Sequence, residues 1–227
     1  PVALQPLGEA VRELGPTEIA LAASKVDAGA HPEDRVASLV ASIGWISRSY
    51  PVIAWQQGVL GEVAVLAGGI GYECGIGWRE RCDLPVAMAR LRKPRAGGGS
   101  ARAVYSSQLR RSLPRKTIEY LVSQPRPAAE LTCSDPACCP NGRDDLLGDA
   151  RGHGIRTRLV TLQEATAPDQ PPWRWHRLAQ SAHDGSQLAE RLNTHIMRTT
   201  GVSTVPLEAL RATAAVADDQ CHMLNRS

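Results

Sequence analysis

Phenylalanine is absent from the 227 residues, and lysine and methionine each occur three times and tyrosine four. Leu, Val, Ile and the five Trp must therefore supply the core. Long apolar runs are missing too. The best stretch, residues 59–70, is interrupted by Gly61, Glu62, Gly68 and Gly69, short of the roughly 18 residues a membrane-spanning helix needs. No membrane partner is expected. With 22% charged residues and 26 basic against 23 acidic, the composition also excludes a disordered polyelectrolyte. What remains is a globular chain long enough for one compact domain or two small ones. It opens at Pro1 without an initiator Met and shows no secretory signal, so an N-terminal part is expected to have been lost or processed. A cytoplasmic location is expected.

The first 95 residues carry an α/β pattern. Residues 19–23 and 52–55 are short apolar runs bounded by Pro and Gly or Lys, as buried strands are. Between them Val36, Leu39, Val40, Ile43 and Ile46 recur at helical spacing, after Pro32, Glu33 and Asp34 at a helix start, and predict a helix over 32–49. Strand, helix and strand make a parallel βαβ unit, part of an open sheet or partial barrel, with residues 2–5 as a further strand. Residues 59–67 read as a helix, because so short a connection after Trp55 cannot return a parallel strand. A glycine-dense loop over 68–77 and a helix over 84–91 follow.

Flexible compositions at 96–101 and 165–172 divide the chain into an α/β part (1–95), a basic Cys-rich module (96–163) and a helical segment (164–227). In the last, Trp175, Leu178, Ala179, Ala182, Ala189, Leu192 and Ile196 repeat every three to four residues over 173–198. A second helix begins near Pro206 and includes Leu207, Leu210 and Ala214, giving an αα-hairpin that covers a core or mediates self-association.

Charge is segregated. Residues 84–118 hold nine basic side chains and no acidic one: Arg90, Arg92, Lys93, Arg95, Arg102, Arg110, Arg111, Arg115 and Lys116. The net charge is thus +9 within this segment and −6 over the remainder. Such a segment suits the phosphates of nucleic acid, another phosphorylated ligand or an acidic partner, and arginine suits bidentate phosphate contacts.

Cys133, Cys138, Cys139 and His153 lie within 21 residues, in a Cys-x4-Cys-Cys-x13-His arrangement. Three thiolates and an imidazole are the donors of a structural Zn2+ site, and turns at Pro136 and Pro140-Asn141-Gly142 fold the loop back on itself. A short helix from Asp144 would deliver His153. Free buried thiols and disulfides are the alternatives.

In the glycine-dense loop, Gly71-x-x-x-Gly75-Ile76-Gly77 resembles the pyrophosphate-binding turn of short-chain dehydrogenases over about fifteen residues. That resemblance implies a nucleotide cofactor, although neither Tyr105 nor Tyr120 has the Lys four residues on that the family's catalytic pair requires. The same loop gathers Glu73, Cys74 and Glu80 as catalytic candidates. Cys74, flanked by Arg79 and Arg81, would be an activated nucleophile, with Glu73 or Glu80 as its general base. Together these features predict a zinc-stabilised protein that binds or modifies nucleic acid through an arginine-rich surface. The tRNA-guanine transglycosylases similarly combine a barrel, zinc and basic surface, but their Cys-x-Cys-x2-Cys motif is absent. A non-catalytic protein docking an acidic partner is the alternative, and a nucleotide-dependent oxidoreductase ranks third.

Overall fold

A computed structural model describes residues 5–75, 80–92, 103–197 and 201–226. Helix α1 (Gln5–Leu14) leads into β1 (Ile19–Leu21), α2 (Pro32–Ile46), β2 (Val52–Ala54), α3 (Gly61–Leu66) and β3 (Gly71–Tyr72). The three strands form one parallel sheet in the order β1-β2-β3, with Ile19 opposite Val52 and Ile53 opposite Gly71. Central strands of parallel sheets are covered on both faces, and Val52 and Ala54 are wholly buried. Helix α2 buries Val36, Leu39, Val40, Ile43 and Ile46, and Glu33 and Asp34 sit in its first turn, where the helix dipole favours acids.

Two expectations change here. Strand β3 lies inside the stretch read as a loop: the Ile70 and Glu73 amides donate to Val52 and Ala54 at 2.9 Å, and the six-residue α3 suffices for the crossover. The strand expected over 2–5 is not seen at Gln5, which opens α1; residues 2–4 lie outside the described residues.

Helix α4 (Leu84–Arg92) is followed by an antiparallel pair, β4 (Val104–Ser106) and β5 (Arg111–Leu113), with Tyr105 opposite Ser112. Five helices complete the module and bridge to the end: α5 (Arg115–Val122), α6 (Pro125–Leu131), α7 (Arg143–Gly148), α8 (Ala150–Thr166) and α9 (Pro171–Ile196). The last helix is α10 (Glu208–Leu224). The flexible stretch expected over 165–172 shrinks to 167–170, because α9 takes up Pro171 and Pro172 in its first turn, where a missing N–H is harmless. The one over 96–101 lies outside the described residues.

Two apolar cores result. The first joins α2, β2 and α3 to Trp175, Leu178 and Ala179 of α9 and Val216 of α10. The second joins Val104, Leu113, Ile118, Leu121, Cys138 and Cys139 to Leu188, Leu192 and Ile196 of α9 and Leu210 of α10. Helix α9 therefore passes from one core into the other. Helix α10 runs beside it in the opposite direction, since Arg211 pairs with Glu190 and Asp218 with His183. A buried ion pair, Arg110 to Glu62 at 3.1 Å, joins the β4–β5 connection to α3 across the boundary between the cores.

Candidate metal centre and adjoining cavity

The loop between α6 and α7 is built to present thiols. The Cys138 and Cys139 amides both donate to the Asp135 carbonyl, at 3.1 and 2.8 Å, and the Ala137 amide donates to the Asp135 carboxylate at 2.8 Å. This tight Asx turn places two successive cysteines on its inner side. Gly142, at φ +57, then reverses the chain into α7 in a conformation that favours glycine. Asp149 caps α8 by accepting from the Gly152 amide at 2.9 Å, and one turn later α8 delivers His153.

The three sulfurs and one imidazole nitrogen lie within 4.8 Å of one another. Cys138 Sγ is 3.8 Å from Cys139 Sγ, and each is 3.4 Å from His153 Nδ1. Tetrahedral zinc with bonds of about 2.3 Å to sulfur and about 2.05 Å to nitrogen has edges of roughly 3.8 and 3.6 Å. The donors of Cys138, Cys139 and His153 stand close to those edges, and Cys133 Sγ lies within 4.8 Å of each of them. His153 Nε2 lies 3.0 Å from the Tyr105 carbonyl, a contact that puts the proton on Nε2 and turns the Nδ1 lone pair toward the thiols.

Burial lowers the His153 pKa, favouring the neutral, ligating imidazole. Burial raises the thiols of Cys133 and Cys139, and Cys138 and Cys133 raise Cys139 further. Thiols crowded in this way ionise together only if a cation compensates them. All six cysteines are free, so no disulfide competes.

Five residues beyond His153, α8 places Arg158 in a cavity of about 420 Å3. It lies at the carboxyl end of β3 and is lined by Tyr72, Glu73, Cys74, Tyr105 and Arg158, among others. Arg158 is buried. It pairs with Glu80, donates to the Gly58 carbonyl at 2.8 Å and lies 3.9 Å above the centre of the Tyr105 ring. Burial opposes its charge, but Glu80, Tyr105, Cys74 and Tyr72 together outweigh that and hold the guanidinium above its ordinary value. Gly61 admits the Tyr72 ring, which a Cβ there would meet at 2.5 Å. Burial, and then the Glu62 carboxylate, push the Tyr72 phenol up to about 12.

Glu73, Cys74 and Glu80 do line one cavity, but the activation expected for Cys74 does not hold. Burial pushes its thiol up; Arg158 works against this, while Glu80 and Glu73 reinforce it. Arg81 turns away to Asp27 at 2.6 Å, and Arg79 lies outside the described residues. Glu80 is occupied by Arg158 and by the amide and hydroxyl of Ser112. Arg158 escaped notice in the sequence, where nothing separates it from its neighbours Arg151 and Arg156.

Of the four basic side chains of this segment among the described residues, two turn inward. Arg110 is buried against Glu62, with its Nε donating to Ser181 at 2.8 Å. Arg111 is buried as well, donates to the Pro206 carbonyl at 3.2 Å, and has its pKa lowered by burial. Both therefore act inside the fold, correcting their assignment to a phosphate-binding face. Arg115 pairs with Glu119 at 2.7 Å and donates to the Leu147 carbonyl, and Lys116 is exposed. The side chains of Arg90 and Arg92, and all of Lys93, Arg95 and Arg102, lie outside the described residues.

The fold and site define a mixed α/β protein with a three-stranded parallel sheet, several C-terminal helices and a Cys3His cluster, buried except for the half-buried Cys133, that could bind a metal. Among the described residues no helix is long and apolar enough to cross a membrane. No protein family, curated protein or solved structure matches the chain.

Proposed function

We propose that this chain is a zinc-clamped α/β binding protein, in which Cys133, Cys138, Cys139 and His153 hold a structural Zn2+ that fixes α8 beside the cavity. The observation carrying this reading is the match between the separations of 3.8 and 3.4 Å among Cys138, Cys139 and His153 and the edges of a zinc tetrahedron, with Cys133 gathered within 4.8 Å of all three. Zinc suits three thiolates and one imidazole better than harder cations, which prefer oxygen. Four protein donors fill the tetrahedron and leave no position for substrate, so the ion is structural rather than catalytic. His153 links the clamp to the cavity twice, through its own helix and through the Tyr105 carbonyl it holds. Elemental analysis of purified protein tests the reading: about one zinc per chain is expected, lost on Cys138→Ser, whereas folded, metal-free protein overturns it.

The charge segregation of residues 84–118 supports a second role, contact with nucleic acid through Lys116 and the residues from Arg90 to Arg102. Affinity that falls steeply with salt supports that role. Salt-independent retention, or none, removes it and leaves an acidic protein partner as the reading for this segment.

A further inference from the structure

Ligands of open α/β sheets settle outside the carboxyl ends of the strands, and the cavity beside the clamp has that position and an ordinary small-molecule size, about 420 Å3. Among the described lining residues the charges do not cancel. The Arg158 guanidinium is consumed by Glu80, the Gly58 carbonyl and the Tyr105 ring face. Glu73 is left over: its Oε2 accepts the Gln56 amide at 3.0 Å, and its Oε1 takes no donor among the described residues. Cys74 and the Tyr72 phenol stay neutral at physiological pH, because burial raises both. Among the described residues one carboxylate of the lining is thus without a cationic partner.

Part of the lining is apolar and only half covered. Ile155 and Leu159, on the face of α8 that lines the cavity, remain 47% and 56% exposed. Apolar side chains bordering a concave site with a lone carboxylate are the two halves of a recognition surface for a molecule that is apolar at one end and cationic at the other.

We propose that this cavity binds a small organic cation with a flat apolar body, its N–H donors meeting the Glu73 carboxylate and its ring lying against Ile155 and Leu159. An aryl amidine has this chemistry: a planar ring, a delocalised charge and paired N–H donors that match a carboxylate. An anion of the same shape meets Glu73 with the wrong sign. The neutral amide keeps the donors but loses the charge.

The experiment titrates the full zinc-loaded chain with benzamidine, benzamide and benzoate, following protein NMR shifts or calorimetric heat. Benzamidine is expected to bind at least about tenfold more tightly than the other two, with shifts concentrated on α8 and on 71–74. Glu73→Gln should erase that preference. Leu159→Arg, at an exposed position that tolerates the change, should weaken benzamidine about tenfold while leaving the Glu73 contacts in place, so a folding defect in the first variant does not decide the matter. Lys116→Ala should change nothing. Benzoate binding as tightly as benzamidine, a preference that survives both variants, or absence of binding at about 10 mM overturns the proposal. Zinc content is read on the same sample. Zinc-free protein that still selects benzamidine contradicts the clamp alone, and zinc-loaded protein that does not contradicts only this inference.

Discussion

The metal centre and the cavity share helix α8, with His153 facing one and Arg158 the other, yet they are assembled in opposite ways. The four metal donors come from 21 consecutive residues and are brought together by an Asx turn, a glycine reversal and one helical turn. The cavity draws on β3, β4, β5 and α8, so its walls meet only once both cores have packed. A site made of local turns forms early and cheaply. A site made of distant elements inherits whatever rigidity those elements have, and on the proposed reading α8 takes part of its rigidity from the clamp.

Removing the clamp should have the largest effect. Structural zinc contributes about 10–16 kcal/mol in zinc-finger peptides, comparable with the ~5–15 kcal/mol total stability of a domain. Chelation or Cys138→Ser is therefore expected to abolish hydrogen-exchange protection across 104–166 while the β1-β2-β3 sheet keeps part of its own. Uniform loss or no loss would break the distinction between the two regions. Next comes the buried pair in the cavity. Arg158→Met leaves Glu80 unpaired and should lower stability by about 3–5 kcal/mol in denaturant titrations. Adding Glu80→Met should recover most of that; a double variant as unstable as the sum would show that the two side chains act separately.

Acid provides a smaller and graded test. The folded-state pKa of His153 is lowered, so as pH falls below the unfolded value of about 6.5 the unfolded chain takes up a proton that the folded chain refuses. The contribution is complete above that value and is lost as pH falls toward the lower folded pKa, at up to about 1.4 kcal/mol per pH unit. Zinc acts in the same direction, since a protonated imidazole cannot ligate. His153→Gln should flatten this slope, and an unchanged profile would place the transition on other groups. The smallest effect belongs to the surface. Lys116→Ala should move stability by no more than about 0.5 kcal/mol and reduce the salt slope of nucleic-acid binding by about 0.9. Arg110→Ala should instead destabilise the fold by stranding Glu62; a variant that loses only nucleic acid would contradict its interior placement.

What could be read from the sequence divides along the same line. Helix α2 and the strands at 19–21 and 52–54 announce themselves by local periodicity and flanking prolines, and the donor set Cys133, Cys138, Cys139 and His153 by local spacing. Strand β3 has only two residues inside a glycine-rich stretch and is defined by its pairing to β2 alone. Arg110 and Arg111 count as charge in a linear tally, but their partners Glu62 and Pro206 stand 48 and 95 positions away. Cys74 misled for the same reason. Its neighbours in sequence, Arg79 and Arg81, suggested activation, whereas its neighbours in space include Glu80, Glu73 and the apolar surroundings that raise its pKa.

X-ray absorption at the zinc edge on freshly purified full-length protein tests the central claim most directly, because it counts donors as well as metal. The clamp predicts one zinc bound by about three sulfurs near 2.3 Å and about one nitrogen near 2.05 Å, with His153→Gln reducing the nitrogen contribution and Cys138→Ser lowering zinc content. Folded protein without zinc, or zinc held by oxygen donors, would contradict it.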